Sequence, residues 1–327
     1  MKSDYLWDGG DATGEPDPEI QQLERLLSEF RANRTVPELA AGYRPASARL
    51  GWSAIAASIA VAAAALWLAS GPAPEGWQVD RSGSGTSRLA VGETLETGAD
   101  GHATLNVGEI GVIEVEPNSR LRLIRAHKNE HRMALEHGLI HATIWAPPRS
   151  FVVDMPSAAA VDLGCSYTLE VSSDGTGLIS VLSGWVSFER NGRESFIPAG
   201  ALCRTRPGAG PGTPYREDAP PSFRQALADF DFAHGADAAL AILLKEAKKD
   251  DTFTLWHLLT RCERGQAPRV YDALAALAPP PAGVSRVGIL RSDPEMLDRW
   301  WDALGLGDTS WWRLFEGKWP PSSGLPR

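Results

Sequence analysis

The sequence predicts a mainly β plus α protein carried on one transmembrane helix, and three observations lead there. From Leu50 to Pro74 no residue carries a formal charge. From Glu75 to about Arg206, short runs of alternating apolar and polar residues are separated by turn-forming residues. Beyond residue 221 the apolar period becomes helical. The expected order is a short cytoplasmic segment over 1–49, a membrane helix over 50–74, a β domain over 75–206, a Pro/Gly linker over 207–221 and an α-helical domain over 222–327.

At 327 residues the chain is long enough for two or three separate cores. Its net charge of −9 and the lack of any long basic run exclude a nucleic-acid partner, because phosphate binding needs clustered Lys and Arg.

The amino-terminal segment opens polar and glycine-rich, apart from Tyr5, Leu6 and Trp7. Asp17-Pro18-Glu19 then combines an N-cap, a proline suited to the first helical position and an acid in the first turn. Ile20, Leu23, Leu26, Leu27 and Phe30 follow at helical spacing and form one apolar stripe. A single short helix cannot bury such a stripe on itself. It must meet Tyr5 to Trp7, a second copy or another protein, so Tyr5, Trp7, Leu23, Leu26, Leu27 and Phe30 are candidate partner-binding residues. Pro37 and Pro45 mark a non-helical connection to the next element.

As a helix, most of 50–74 would be about 30 to 37 Å long, matching the hydrocarbon thickness of a bilayer. Trp52 and Trp67 stand near its ends, where indoles favour the headgroup level. Its richness in alanine leaves a buried soluble helix as the competing reading. Arg31, Arg34, Arg44 and Arg49 precede it closely and only Arg81 and Arg88 follow, so positive-inside bias places the amino terminus in the cytoplasm. The segment reads as an uncleaved anchor in the cytoplasmic membrane, with the bulk of the chain outside.

The β region contains Ala103/Leu105/Val107, Leu121/Leu123, Met133/Leu135, Phe151 to Val153, Tyr167 to Val171, Leu178 to Leu182 and Trp185 to Phe188 as strand-like runs. Asp100-Gly101, Pro117-Asn118, Asp174-Gly175 and Asn191-Gly192 separate them. A series of short motifs runs through it in order: Gly92-Glu93, Asp100-Gly101-His102-Ala103, Pro117-Asn118-Ser119-Arg120-Leu121, Gly138-Leu139-Ile140, Phe151-Val152-Val153, Gly164-Cys165-Ser166-Tyr167, Gly184-Trp185-Val186 and Ala199-Gly200. This series resembles the FecR family of bacterial single-span regulators over residues 85–205, with Cys165 standing where the family usually has Thr. The resemblance implies a β-rich, solenoid-like fold on the outer side of the membrane that contacts other proteins. It also implies, as partners, an extracytoplasmic-function sigma factor inside and an envelope protein outside. Family members bind the sigma factor through a domain of several helices, whereas residues 1–49 offer one.

Past the linker, helices are expected over Phe223–His234, Ala236–Lys248, Phe253–Arg264, Arg269–Leu277 and Pro294–Leu304. Trp300, Trp301, Trp311, Trp312 and Trp319 then cluster at the end of the chain. They either close a small helical core or form a partner-binding patch, for which Trp311 and Trp312 are the candidates.

No nucleophile elbow, P-loop, dinucleotide fingerprint or acid/base pair appears, and the chain reads as a non-enzyme without a cofactor. His127, His131, His137 and His141 are the one concentration of metal-capable residues. On one strand His137 and His141 would share a face, against which stands the simpler reading of solvated strand residues. Cys165 and Cys203 either pair, worth about 4 kcal/mol in the chain-entropy account, or are two separate buried residues. Three functions compete: a transmembrane regulator of the FecR type, an anchored envelope scaffold that binds protein or polysaccharide without cytoplasmic output and, last, a metal- or thiol-dependent envelope enzyme.

Overall fold

The computed structural model describes residues 75–81, 85–127, 130–233 and 237–307. The expected amino-terminal helix with Tyr5, Trp7, Leu23, Leu26, Leu27 and Phe30, the 50–74 span, and Trp311 and Trp312 lie outside the described residues. Among those described, no helix is long and apolar enough to cross a membrane.

Sixteen strands form one sheet: β1 (Gly76–Arg81), β2 (Gly85–Ala90), β3 (Thr94–Glu96), β4 (Ala103–Asn106), β5 (Gly111–Val115), β6 (Arg120–His127), β7 (Glu130–Ile144), β8 (Phe151–Asp154), β9 (Ala159–Asp162), β10 (Cys165–Val171), β11 (Gly177–Ser183), β12 (Trp185–Arg190), β13 (Arg193–Pro198), β14 (Ala201–Arg206), β15 (Gly210–Pro211) and β16 (Tyr215–Arg216). Among the described residues every pairing but β7 with β8 is antiparallel. The expected stack of short strands is therefore a folded antiparallel sheet. Hairpin turns reverse the chain after most strands, whereas stacked solenoid coils would run in one direction.

The sheet folds over at β7. Its first half pairs with β6 and β8, its second half with β5 and β10. His131, Met133 and Leu135 are buried in the first half, and Ile140, Ala142 and Ile144 in the second. The inward parity thus shifts by one residue between Leu135 and Ile140, as it must where a strand leaves one leaf for another. Gly138 sits at the shift with φ 107, where a Cβ would run into Ser119. Ser119 Oγ accepts from Leu139 N at 3.0 Å and holds the corner.

One leaf runs β2, β1, β4, β5, β7, β10, β11, β14, and the other β3, β6, β7, β8, β9, β12, β13. They face each other across a largely apolar core. Trp77 of β1 packs on Phe151 of β8, and its Nε1 donates to His131 Nδ1 of β7 at 3.1 Å. Each fully buried large apolar side chain here contributes about 1.5 to 3 kcal/mol relative to exposure.

Among the described residues six helices follow: α1 (Pro221–Phe232), α2 (Asp237–Glu246), α3 (Thr252–Leu259), α4 (Ala267–Leu277), α5 (Arg286–Leu290) and α6 (Pro294–Ala303). The expected helices appear with ends shifted by a few residues, and α5 is additional. In α6, Asp293 Oδ1 accepts from Met296 N at 3.2 Å with Pro294 in the first turn, the cap that Asp-Pro-Glu implies. Every residue of α3 is buried, because it lies between the sheet edge at Phe196 and helices α4 and α6.

The stretch expected as a linker is packed onto the sheet. Gly210–Pro211 and Tyr215–Arg216 pair with β14, and Thr213 and Tyr215 are buried. Its prolines and glycines interrupt a ladder without keeping the chain away from the core. Sheet and helices consequently share one core cluster.

Candidate functional site

The densest set of buried polar and aromatic groups lies along the seam between edge strand β13 and helices α1, α3 and α6. An edge strand presents unpaired backbone groups that need an answer. Here Phe196 N donates to His257 Nε2 of α3 at 2.9 Å, and His257 Nδ1 donates to Phe253 O at 2.8 Å. The first bond requires a bare Nε2, which fixes the tautomer with its proton on Nδ1.

Arg261, just past α3, is buried at the same edge. Its Nη2 donates to Glu194 O at 2.7 Å and Ser195 Oγ at 2.6 Å, and its Nη1 to Thr213 Oγ1 at 2.8 Å. Thr213 Oγ1 in turn donates to Asp231 Oδ1 of α1 at 3.0 Å, and Thr213 N donates to Asp231 Oδ2. Arg193 Nη2 of β13 reaches Asp231 Oδ1 at 2.9 Å. Burial pushes the Arg261 guanidinium down to about 10, opposed by the Asp231 charge 4.0 Å away, so it remains protonated at neutral pH. The network ties β13, the 210–216 stretch, α1 and α3 together.

Around it sits an aromatic cluster. Trp301 packs on Trp256 at 4.8 Å, His257 at 5.5 Å, Phe196 at 5.8 Å and Trp185 at 6.1 Å between centroids. Trp300 packs on Tyr271 at 5.2 Å. Trp300 and Trp301 therefore close the core, in agreement with the core reading of the tryptophan cluster for these two.

Next to the seam a groove of about 490 Å³ opens between the β13–β14 turn and the ends of α4 and α6. Leu277, Ala278, Leu304 and Leu306 give it apolar patches, and Arg216, Lys249 and Asp250 give it charge. Among its lining residues no hydrogen-bonded nucleophile–base pair is recorded.

The four candidate histidines do not gather. His131 is in the core, where burial pushes its imidazole below the ordinary value. His137 lies at the β7 corner with its Nδ1 buried and unpartnered. His141 faces outward, with Nδ1 3.0 Å from Thr168 Oγ1 and Nε2 3.3 Å from Glu116 Oε1. The shift of parity at Gly138 separates His137 from His141 and removes the shared face expected for them. Among the described residues no three His, Cys, Asp or Glu side chains are arranged to hold a metal.

Cys165 and Cys203 are both free and buried, so the pairing is not formed. The Cys165 thiol donates to Asp162 Oδ2, and the Cys203 thiol to Gly212 O at 3.2 Å. Burial raises the Asp162 carboxyl to about 7 despite bonds from Gly164 N and Cys165 that favour its charged form. Burial also pushes the Cys165 thiol well above its ordinary value and Cys203 up to about 12.

Sequence reasoning missed the Arg261–Asp231 network, the His257 bond and the Asp162–Cys165 pair. The partners of the first two stand far apart along the chain, 61 residues for Phe196 and His257, whereas Asp162 and Cys165 are near neighbours that only the fold buries together. The available signal was the presence of charged and imidazole side chains within otherwise apolar helical runs.

Residues 93–187 match the family model described as FecR protein. No curated protein matches the chain. Two solved structures of a candidate anti-sigma factor from Parabacteroides distasonis ATCC 8503 are similar in part. Each shows 16% identity and a TM-score of 0.34, covering 41% of this chain and 63% of that one. The match thus spans less than two thirds of that protein.

Proposed function

We propose that this chain, which carries a FecR domain over residues 93–187, is a membrane-anchored signal-transduction regulator. In this reading residues 50–74 cross the cytoplasmic membrane and residues 1–49 lie inside. The β and helical parts lie outside, where they meet an envelope protein. Binding of that protein biases the amino-terminal segment, which controls an extracytoplasmic-function sigma factor. A signal can cross only if the envelope partner binds two states of the outer part with different free energies.

The observation that carries the proposal is the family match over the folded β region, downstream of an uncharged run long enough to span a bilayer. The seam and the groove beside it supply what such a role needs outside the membrane: rigid packing between sheet and helices, and a concave surface for a partner.

Deleting residues 1–36 tests the proposal. Transcripts of the sigma-dependent regulon should change while the outer part still binds its partner. Unchanged transcripts with retained binding would replace it by the anchored-scaffold reading. Topology is tested with a reporter fused after Arg327, which should be active only outside the cytoplasm.

A further inference from the structure

A second cavity, of about 320 Å³, lies between β14 and α1 and shares no lining residue with the seam's groove. Arg204 and Arg206 line it from alternate positions of β14, so both leave the same, solvent-facing side of the strand. Arg224 lines it from α1, next to Gln225 and Asp229. The other stripe of α1, Phe223, Ala226, Leu227 and Phe230, is buried. That burial fixes the rotation of the helix and keeps Arg224 towards the cavity.

The charges are incompletely balanced: the Asp174 carboxyl, outside the lining, feels the Arg206 charge but forms no ion pair with it. Among the described residues none of the three guanidinium groups has a carboxylate within ion-pair distance. Asp229, the one acid in the lining, accepts from the Gln225 amide at 2.8 Å. Arg206 is held in place, its guanidinium 4.8 Å from the centre of the Phe232 ring. In a chain of net charge −9, three arginines converge on one cavity where acids are plentiful elsewhere. Like charges repel, and an anion between them removes that cost. Guanidinium groups offer planar, paired donors that match phosphate and similar oxyanions. The cavity volume is at the lower end of small-molecule sites and suits a small anionic group.

We infer that this cavity binds a small, multiply charged oxyanion, of which a phosphate monoester is the type. The inference stands on the described residues alone and does not need the regulator reading. Isothermal titration of the full-length chain with inorganic pyrophosphate, at ionic strength held constant with sodium chloride, tests it. Saturable one-to-one binding is expected. An Arg204→Gln/Arg224→Gln double variant, both exposed positions, should weaken it by about tenfold or more with unchanged Tm. Arg204→Lys/Arg224→Lys keeps the charge but loses the paired donors and should recover only part of the affinity. The single Arg224→Gln variant gives the same reading if the double variant fails to fold. No saturable binding up to about 10 mM, or equal binding by the glutamine variants, overturns the inference.

Discussion

Cutting the buried link between Asp231 and Arg261 should loosen the helices from the sheet. In Asp231→Ala, Thr213 N and Oγ1 lose their acceptor, and Arg193 and Arg261 lose their counter-charge. Removing one partner of a buried pair costs about 3–5 kcal/mol, because the remaining charge is stranded away from water. Arg261→Ala removes three donated hydrogen bonds and should cost a similar amount. The double variant leaves only Arg193 without its counter-charge, and that side chain is 32% exposed, so the loss should fall short of the sum by about 2 kcal/mol or more. The assay is urea unfolding of the four proteins in detergent, followed by tryptophan fluorescence. Trp256 and Trp301 lie beside the seam and report its opening. Additive losses, with a coupling below about 0.5 kcal/mol, would refute the argument that the two side chains act as one unit.

Three further outcomes are expected. The Asp162 carboxyl, raised by burial to about 7, binds a proton in the folded state that it gives up in the unfolded one between about pH 4 and 7; its contribution is full below that window and is lost above it, by at most about 4 kcal/mol. The difference in unfolding free energy between wild type and Asp162→Asn, followed from pH 4.5 to 8, should show that slope, and parallel pH curves would contradict it. Gly138→Ala should cost about 2–4 kcal/mol in denaturant unfolding, since φ 107 disfavours a side chain and Ser119 occupies the space; Gly192→Ala, at a turn open to solvent, should cost less despite a φ of 78. All three cysteines are raised by burial, Cys262 to about 11, so an aromatic disulfide reagent should find no fast-reacting thiol in the native protein and three after denaturation. Two fewer would show a Cys165–Cys203 bond.

Much of the β region was legible because a half-buried strand writes its burial into the sequence at every second residue. Leu121 and Leu123, Met133 and Leu135, and Phe151 and Val153 are all buried as their alternation implies. The corner of β7 was also written there, as the step from Met133/Leu135 to Ile140/Ala142 across Gly138, but it takes a structure to see that the step joins two leaves. The helical part was legible down to the cap of α6. Composition misled over 207–221: Pro and Gly report a missing ladder, and burial of Thr213 and Tyr215 depends on what lies across from them. The seam was illegible for the same reason. Arg261 and Ser195 meet across 66 residues, and no local period encodes that meeting.

The motif series itself can be explained by geometry. Ser119 and Gly138, which fall in two different motifs, are one device: the glycine leaves room for the serine, whose hydroxyl ties down the strand that the glycine begins to bend. Gly184 and Gly164 are another, since a Cβ on Gly184 would strike the Gly164 carbonyl where β10 and β12 begin. Ala199 N then donates to Gly184 O and Gly200 N to Val181 O, closing the turn after β13. These residues are needed wherever the sheet crosses itself, whatever the protein binds. A series made of such positions reports the fold and is silent about the ligand. Recognition is then expected of residues outside the series, and on the described surface the arginines of β14 and α1 line a cavity without a carboxylate within ion-pair distance.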